Sequence, residues 1–128
     1  MCGVILDDMG RVLLCQRPLE KSQGGLWEFP GGKVDSGETC ESALMRELTE
    51  ELGCKVIVGE RLSEVEHNYG DFSVSLVPFI CRLAKDSPAP QALEHIEIKW
   101  LKLNELLSNK LVPADVAIVN ELQLLTSI

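Results

Sequence analysis

The chain has 128 residues, of which 45% are hydrophobic and 25% are charged, a balance that predicts one compact domain over residues 1–128 with its own core. Its net charge of −8 argues against binding to nucleic-acid polymers, because that binding depends on clustered Lys and Arg facing the phosphates. No apolar stretch approaches the roughly 18 residues of a membrane span, and the N-terminus lacks the basic flank and long apolar region of a signal peptide.

The first predicted elements form a hairpin. Residues 4–6 and 11–15 are apolar runs that predict strands, and the Asp- and Gly-containing segment 7–10 between them is typical of a tight turn. Because the first run has no lead-in, we expect the first strand to begin at the terminus, and the start to be truncated or unusually short. Residues 18–26 predict a loop, and residues 27–29 predict a short strand that ends at the following glycines.

The next predicted element is a helix over residues 39–52. Apolar residues recur there every four positions, which gives the helix one apolar face. Thr39 suits the N-cap, and Gly53 suits the position after the last turn. The apolar positions are Cys40, Leu44, Leu48 and Leu52.

The second half of the chain alternates strands with loops and ends in a helix. Proline at position 78 predicts that one of these strands is an edge strand or carries a bulge. Because strands outnumber helices and short connections dominate, we predict an α/β fold, a sandwich of helices around a mixed sheet. The predicted segments are strands at 55–58, 72 to about 83 and 96–100, a loop at 84–91, a short helix at 103–107 and a terminal helix at 114–125.

The five cysteines predict a reducing compartment. They form no Cys-x-x-Cys pair and lie mostly among apolar residues, which suits buried, reduced thiols better than a disulfide framework or a zinc site. We therefore expect a cytoplasmic protein. The positions are Cys2, Cys15, Cys40, Cys54 and Cys81.

A group of carboxylates on the predicted helix carries the chemistry. Glu47, Glu50 and Glu51 are spaced i, i+3 and i+4, which brings them to one face and one end of the helix. Taken alone, this spacing also describes an ordinary solvated acidic face. Here a Gly-rich turn at Gly32 and a further carboxylate, Glu38, precede the helix, so oxygen ligands for Mg²⁺ or Mn²⁺ could converge. Such a cation would let an acidic protein bind a polyphosphate.

The same residues spell a family signature. Gly32, five residues, Glu38, seven residues, and then Arg-Glu-Leu-Thr-Glu-Glu-Leu-Gly-Cys at 46–54 resemble the 23-residue Nudix box. The match departs only at Cys54, where the family usually has an aliphatic residue. The resemblance implies a Nudix-type α/β/α sandwich and a Mg²⁺-dependent hydrolase of phosphoanhydride bonds, in which water attacks a phosphorus atom.

The resemblance also implies metal ligands. It assigns the carbonyl of Gly32 and the carboxylates of Glu47, Glu50 and Glu51 to the metal. Arg46 would orient a catalytic glutamate, or it would form a plain surface ion pair.

The general base is left open among three carboxylates. It would be Glu51 or Glu50, or the distal Glu94, whose placement six residues before Trp100 resembles that of a distal glutamate in MutT-like members. Glu94 is accordingly a candidate base and metal ligand, and the alternative is an ordinary loop carboxylate.

Outside the box, the chain resembles the MutT branch, which converts nucleoside triphosphates to monophosphates and pyrophosphate. The resemblance lies in Gln16-Arg17, in residues 26–33 and in residues 111–115. It implies that Arg17 contacts the nucleotide and that Lys33 lies near the phosphates. The alternative for both is a solvated charge.

The base of the nucleotide remains open. Asp115 stands where the MutT pattern has Asn, so the substrate could be an oxidised purine such as 8-oxo-dGTP, as in a DNA-repair enzyme, or a pyrimidine nucleotide. Phe29 and Tyr69 fall where that branch has aromatic residues near the base, and either stacking or core packing would explain them.

Other functions stay open at this point. One is hydrolysis of another diphosphate-linked nucleotide, such as a dinucleoside polyphosphate or ADP-ribose, and the other is a non-catalytic nucleotide-binding module. In each case we expect a small nucleotide as partner, no nucleic-acid polymer and no membrane, and a monomer or homodimer.

Overall fold

The computed structural model describes residues 1–126, and the side chains of residues 1–125. Its helices are α1 (Cys40–Leu52), α2 (Pro113–Thr126) and a 3-10 helix (Leu103–Ser108). Its strands are β1 (Cys2–Leu6), β2 (Val12–Gln16), β3 (Trp27–Glu28), β4 (Val56–Arg61), β5 (Val65–Asn68), β6 (Ser73–Leu76), β7 (Pro78–Leu83) and β8 (Glu97–Leu101).

The main sheet is mixed. Its strands follow the order β3-β2-β1-β7-β4, and β8 pairs with β2. β1 and β7 run parallel, whereas the other pairs are antiparallel. The predicted N-terminal hairpin is confirmed by the antiparallel pairing of β1 with β2.

Helices cover both faces of this sheet. Because successive strand residues point to opposite faces, Val4 and Ile5 belong to different core clusters. α1 packs on the face of Ile5, and α2 packs on the face of Val4. The predicted sandwich of helices around a mixed sheet is therefore confirmed. The buried residues contributed by the two helices are Leu44, Leu48 and Leu52 from α1, and Ile118, Val119 and Leu122 from α2.

The limits of α1 agree with the predicted caps. The hydroxyl of Thr39 accepts a hydrogen bond from the backbone N–H of Ser42 at 3.1 Å, which satisfies one of the free donors of the first turn. Gly53 has φ 65°, a left-handed conformation that favours glycine, and its N–H donates to the carbonyl of Thr49 at 2.9 Å.

The strand predicted over residues 72–83 is wrong in extent. The structure divides it into β6 and β7, which lie in different sheets, and β6 pairs with β5, which was not predicted. β7 is an interior strand, so the predicted edge is also wrong. Pro78 is tolerated because it is the first residue of β7. The irregular pairing lies in the neighbouring β4, between Val58 and Arg61.

The cysteines are free thiols, as predicted. Four are buried, and Cys40 is half-buried. Among residues 1–126, no helix is both long and apolar enough to cross a membrane.

Packing of α1 on the sheet should dominate the stability of this half of the molecule. Leu48 is fully buried, so we expect Leu48→Ala to lower the free energy of unfolding by about 2–5 kcal/mol. The control is Met45→Ala on the same helix, where the residue is 43% exposed and the change should stay within about 0.5 kcal/mol. Urea denaturation measures both, and equal losses would contradict this packing.

Candidate active site

A cleft of about 170 Å³ opens where α1 meets β3 and the segment before β8. The backbone of that segment is tied to the end of α1, because Gln91 and Leu93 donate to the carbonyls of Leu52 and Glu51. This tie brings the sequence-distant residues 94 and 95 to the cleft. The lining residues are Arg17, Pro18, Lys21, Glu28, Gly31, Glu47, Glu51, Glu94 and His95.

Glu51 is the buried carboxylate of this cleft. It is 6% exposed, and its Oε2 atom has no hydrogen-bond partner among the described residues. Burial, and then repulsion from Glu47, Glu28 and Glu94, raise the pKa of Glu51 to about 8. The cleft therefore has an excess of negative charge around a carboxyl group that keeps its proton near neutral pH.

Glu28 and His95 are cleft residues that the sequence did not single out. Glu28 accepts hydrogen bonds from Arg17 at 2.8 Å and from His95 at 3.0 Å. The signal for Glu28 was available, because it is the polar residue between Trp27 and Phe29 in an alternating strand, and both aromatics belong to the core on the opposite face. No local pattern distinguishes His95.

Arg46 organises the acidic residues at the mouth of the cleft. Its Nε and Nη2 atoms donate to both oxygens of Glu38, at 2.8 and 2.9 Å, and this hydrogen bonding holds the pKa of Glu38 below its usual value. Nη1 donates to Glu47 at 3.1 Å and to Glu50 at 3.4 Å, and Nη2 donates to the carbonyl of Lys33 at 3.2 Å. Arg46 thus holds the side chain of Glu47 close to the loop that contains Lys33.

Gly32 lies directly against the carboxylate of Glu47. A Cβ atom at Gly32 would lie 2.4 Å from the carboxyl carbon of Glu47, so any side chain there would displace that carboxylate. The carbonyl of Gly32 accepts a hydrogen bond from the N-terminal ammonium of Met1 at 3.0 Å. Gly31, rather than Gly32, lies among the cleft residues.

The cleft brings together part of the predicted site. Glu47, Glu51, Glu94 and Arg17 line it. Glu50 does not, because its side chain is 53% exposed and is directed to Arg46.

The lysine that lines the cleft is not the one that the sequence singled out. Lys33 is exposed and outside the cleft lining, whereas Lys21, which was not singled out, belongs to it.

The predicted base-binding residues gather around the start of α2. Asp115 is buried and accepts a hydrogen bond from the backbone N–H of Phe29 at 2.8 Å. Burial raises the pKa of Asp115 to about 7. The hydroxyl of Tyr69 accepts from the N–H of Ala114 at 3.1 Å, and its ring stacks on Phe72.

Phe29 packs in the core and is 3% exposed. Of the two predicted roles of Phe29, its side chain therefore has the packing role in the core. Its backbone N–H, rather than its ring, contacts Asp115.

A cation fits the chemistry of this cleft. Among residues 1–126, no three His, Cys, Asp or Glu side chains form a ready ligand group. A hard divalent cation would nevertheless give Oε2 of Glu51 a partner and would reduce the repulsion between Glu51 and the neighbouring carboxylates. The residues that would hold it are Glu51 and Glu47, with Glu94 at the same cleft.

The chain is similar to known proteins in both sequence and fold. The family model described as NUDIX domain matches residues 1–122. A CTP pyrophosphohydrolase of Escherichia coli is 36% identical over 117 residues, which cover 91% of this chain and 85% of that protein. An 8-oxo-dGTP diphosphatase of Proteus vulgaris is 46% identical over 78 residues, 61% of this chain and 70% of that protein. The solution structure of the E. coli ORF135 protein has a TM-score of 0.80 and 35% identity, and covers 98% of this chain and 87% of that one.

The raised pKa of Glu51 predicts a pH-dependent stability in EDTA. The carboxyl group ionises near its ordinary pKa of 4.5 when unfolded but near 8 when folded, so the folded state holds the extra proton between these values. Stability contributed by protonated Glu51 is therefore lost as the pH rises from about 5 to about 8.

The measurement compares wild type with Glu51→Gln by urea denaturation across this pH range. Glu51→Gln should gain at least about 1 kcal/mol relative to wild type at the high-pH end, since one unit of pKa difference corresponds to about 1.4 kcal/mol. Asp115 is present in both proteins and cancels in the difference. Parallel stability curves would contradict the assignment.

Proposed function

The chain belongs to the NUDIX domain family and is a MutT-like hydrolase of phosphoanhydride bonds, and on this premise we propose that it hydrolyses a nucleoside or deoxynucleoside triphosphate to the monophosphate and pyrophosphate. We propose Mg²⁺ as its cofactor, with Mn²⁺ as a substitute. The relatives that carry this proposal are named for CTP and for 8-oxo-dGTP.

The observation that carries the mechanism is the position of Glu51. Its carboxylate lies in a cleft that also presents Arg17 and Lys21, two cations suited to phosphate oxygens. The Oε2 atom of Glu51 has no hydrogen-bond partner among the described residues, so this oxygen is available to accept a proton. The proposed base is therefore Glu51, and Glu94 remains the second candidate because it lines the same cleft.

Different residues of the chain would carry out different parts of the reaction. Bound Mg²⁺ would supply positive charge to the polyphosphate and to the developing negative charge. Glu51 would take a proton from a water molecule as the water oxygen bonds to phosphorus and the bond between the α- and β-phosphates breaks. Arg46 would keep Glu47 in place through the 3.1 Å hydrogen bond.

Asp115 and Tyr69 are proposed to face the base. Asp115 lies at the start of α2, where the hydroxyl of Tyr69 contacts Ala114. Asp115 is linked through Phe29 to the strand that carries Glu28. A carboxylate accepts hydrogen bonds from amino and ring N–H groups. Cytosine and oxidised guanine both carry such donors. The proposal therefore covers pyrimidine and oxidised purine triphosphates, and leaves the choice between them to experiment.

The direct test is a substrate panel. Release of pyrophosphate should be measured from CTP, dCTP, 8-oxo-dGTP and the ordinary nucleotides, beside ADP-ribose and diadenosine polyphosphates, with Mg²⁺ and with EDTA. We expect pyrophosphate from at least one triphosphate, abolished by EDTA. Turnover of only a diphosphate-linked compound would move the substrate to another class, and binding of nucleotide without any turnover would favour a non-catalytic module.

Removing the charge of Glu51 should stop the chemistry while keeping the fold. We expect Glu51→Gln to lower kcat by about 100- to 10,000-fold, the range typical of a lost general base. The control is Glu41→Gln, an exposed carboxylate in the first turn of the same helix, which should retain kcat within about twofold. A loss below about tenfold for Glu51→Gln would contradict its role.

Changing Asp115 should alter the choice of base more than the rate. Asp115→Asn can still accept the hydrogen bond from Phe29, but it replaces one acceptor with an N–H donor. We expect the ratio of kcat/KM for CTP and 8-oxo-dGTP to change by about tenfold or more. A uniform loss on both nucleotides would show that Asp115 supports the fold without reading the base.

A further inference from the structure

His95 is a buried polar residue for which the mechanism above has no use. It is among the few buried polar side chains of the described residues, with Glu51 and Asp115. It lies between β3 and α1, and its side chain is 4% exposed. A buried ring nitrogen needs a partner to offset the loss of water, so the contacts of this ring are informative.

One nitrogen of His95 faces two carboxylates. Nε2 lies 3.0 Å from Oε2 of Glu28 and 3.7 Å from Oε1 of Glu51. The carboxylate of Glu28, which is paired with Arg17, accepts hydrogen bonds, so the ring nitrogen that faces it, Nε2, carries a hydrogen. Nδ1 is buried and has no partner within the part of the chain that the structure describes. The contacts therefore select the tautomer with the hydrogen on Nε2.

Glu28 is itself held in place. Its other oxygen, Oε1, accepts a hydrogen bond from Arg17 at 2.8 Å, and the Nε atom of Arg17 donates to the carbonyl of Ser22 at 2.9 Å. Both oxygens of Glu28 are thus committed, one to Arg17 and one to His95. Glu28 therefore anchors the imidazole ring of His95.

We propose that His95 is a positioning residue for the hydrolysis: its Nε2–H group, hydrogen-bonded to Glu28, lies 3.7 Å from Oε1 of Glu51 and keeps the carboxyl groups of Glu28 and Glu51 apart. Oε2 of Glu51, the oxygen that would face a cation, has no hydrogen-bond partner among the described residues. The inference rests on the proposed function, because it acts through Glu51. His95 takes no proton from the substrate in this account.

The matched variants are His95→Gln and His95→Leu. Glutamine can place an amide N–H near the position of Nε2, whereas leucine fills a similar volume without a donor. Loss of a group that orients a reacting residue typically costs 10- to 100-fold. We expect His95→Leu to lower kcat by about 10- to 100-fold with KM changed by less than about threefold, and His95→Gln to recover kcat to within about fivefold of wild type.

Two controls separate positioning from general loss of structure. Ile118→Val removes one methylene from the core under α2, away from the cleft, and should leave kcat unchanged. In EDTA, a long-range ¹H–¹⁵N spectrum of the wild-type imidazoles should show His95 with its hydrogen on Nε2, and Glu28→Gln should move that signal. The spectrum reports the hydrogen bond without any turnover.

The outcomes distinguish this inference from the function on which it rests. A wild-type protein that hydrolyses no triphosphate would overturn the proposed function, and the spectrum would still decide the hydrogen bond. An active wild type with kcat unchanged in His95→Leu would overturn the role of His95 alone. A hydrogen on Nδ1, or failure of His95→Gln to recover kcat when His95→Leu loses it, would overturn it as well.

Discussion

The constraint on which the site depends is the burial of Glu51 beside other carboxylates. Such burial is unfavourable in isolation, because desolvation and like-charge repulsion both act against the ionised form. It is imposed by the packing of α1, because Glu51 lies in the last turn of the helix, between the core residues Leu48 and Leu52. The apolar face that stabilises the helix on the sheet therefore carries the carboxylate into the cleft.

The groups around Glu51 limit this repulsion in different ways. Arg46 binds Glu38, Glu47 and Glu50, so three of the box carboxylates are paired with one guanidinium at the mouth of the cleft. Arg17 and His95 each contact one oxygen of Glu28, the carboxylate that β3 contributes to the cleft. Of the described side-chain oxygens, only Oε2 of Glu51 is buried without a hydrogen-bond partner. Because this oxygen has no partner among the described residues, it is the atom through which Glu51 would bind a divalent cation in exchange for its proton.

Elements with local signals were predictable from the sequence, and contacts between distant segments were not. α1 was predicted because its apolar period, Thr39 cap and Gly53 end all lie within one segment. The division of residues 72–83 was missed because Leu76, Val77 and Pro78 form a continuous apolar run, and only tertiary pairing assigns its two halves to different sheets. Helical spacing alone grouped Glu50 with Glu47 and Glu51, but Glu50 lies four residues after Arg46 and its side chain is directed to that residue. The bond between Glu28 and His95 joins residues 67 positions apart, a relation that no local pattern contains.

The most direct test of this account is calorimetric titration of Mn²⁺ into the protein without nucleotide. If the buried carboxylate of Glu51 is the centre of a cation site, wild type and Glu41→Gln should bind Mn²⁺ with the same affinity, and Glu51→Gln should bind it at least about tenfold more weakly. Equal affinity in all three proteins would contradict the account, because the cation would then bind elsewhere and the unmatched oxygen of Glu51 would have no part in holding it.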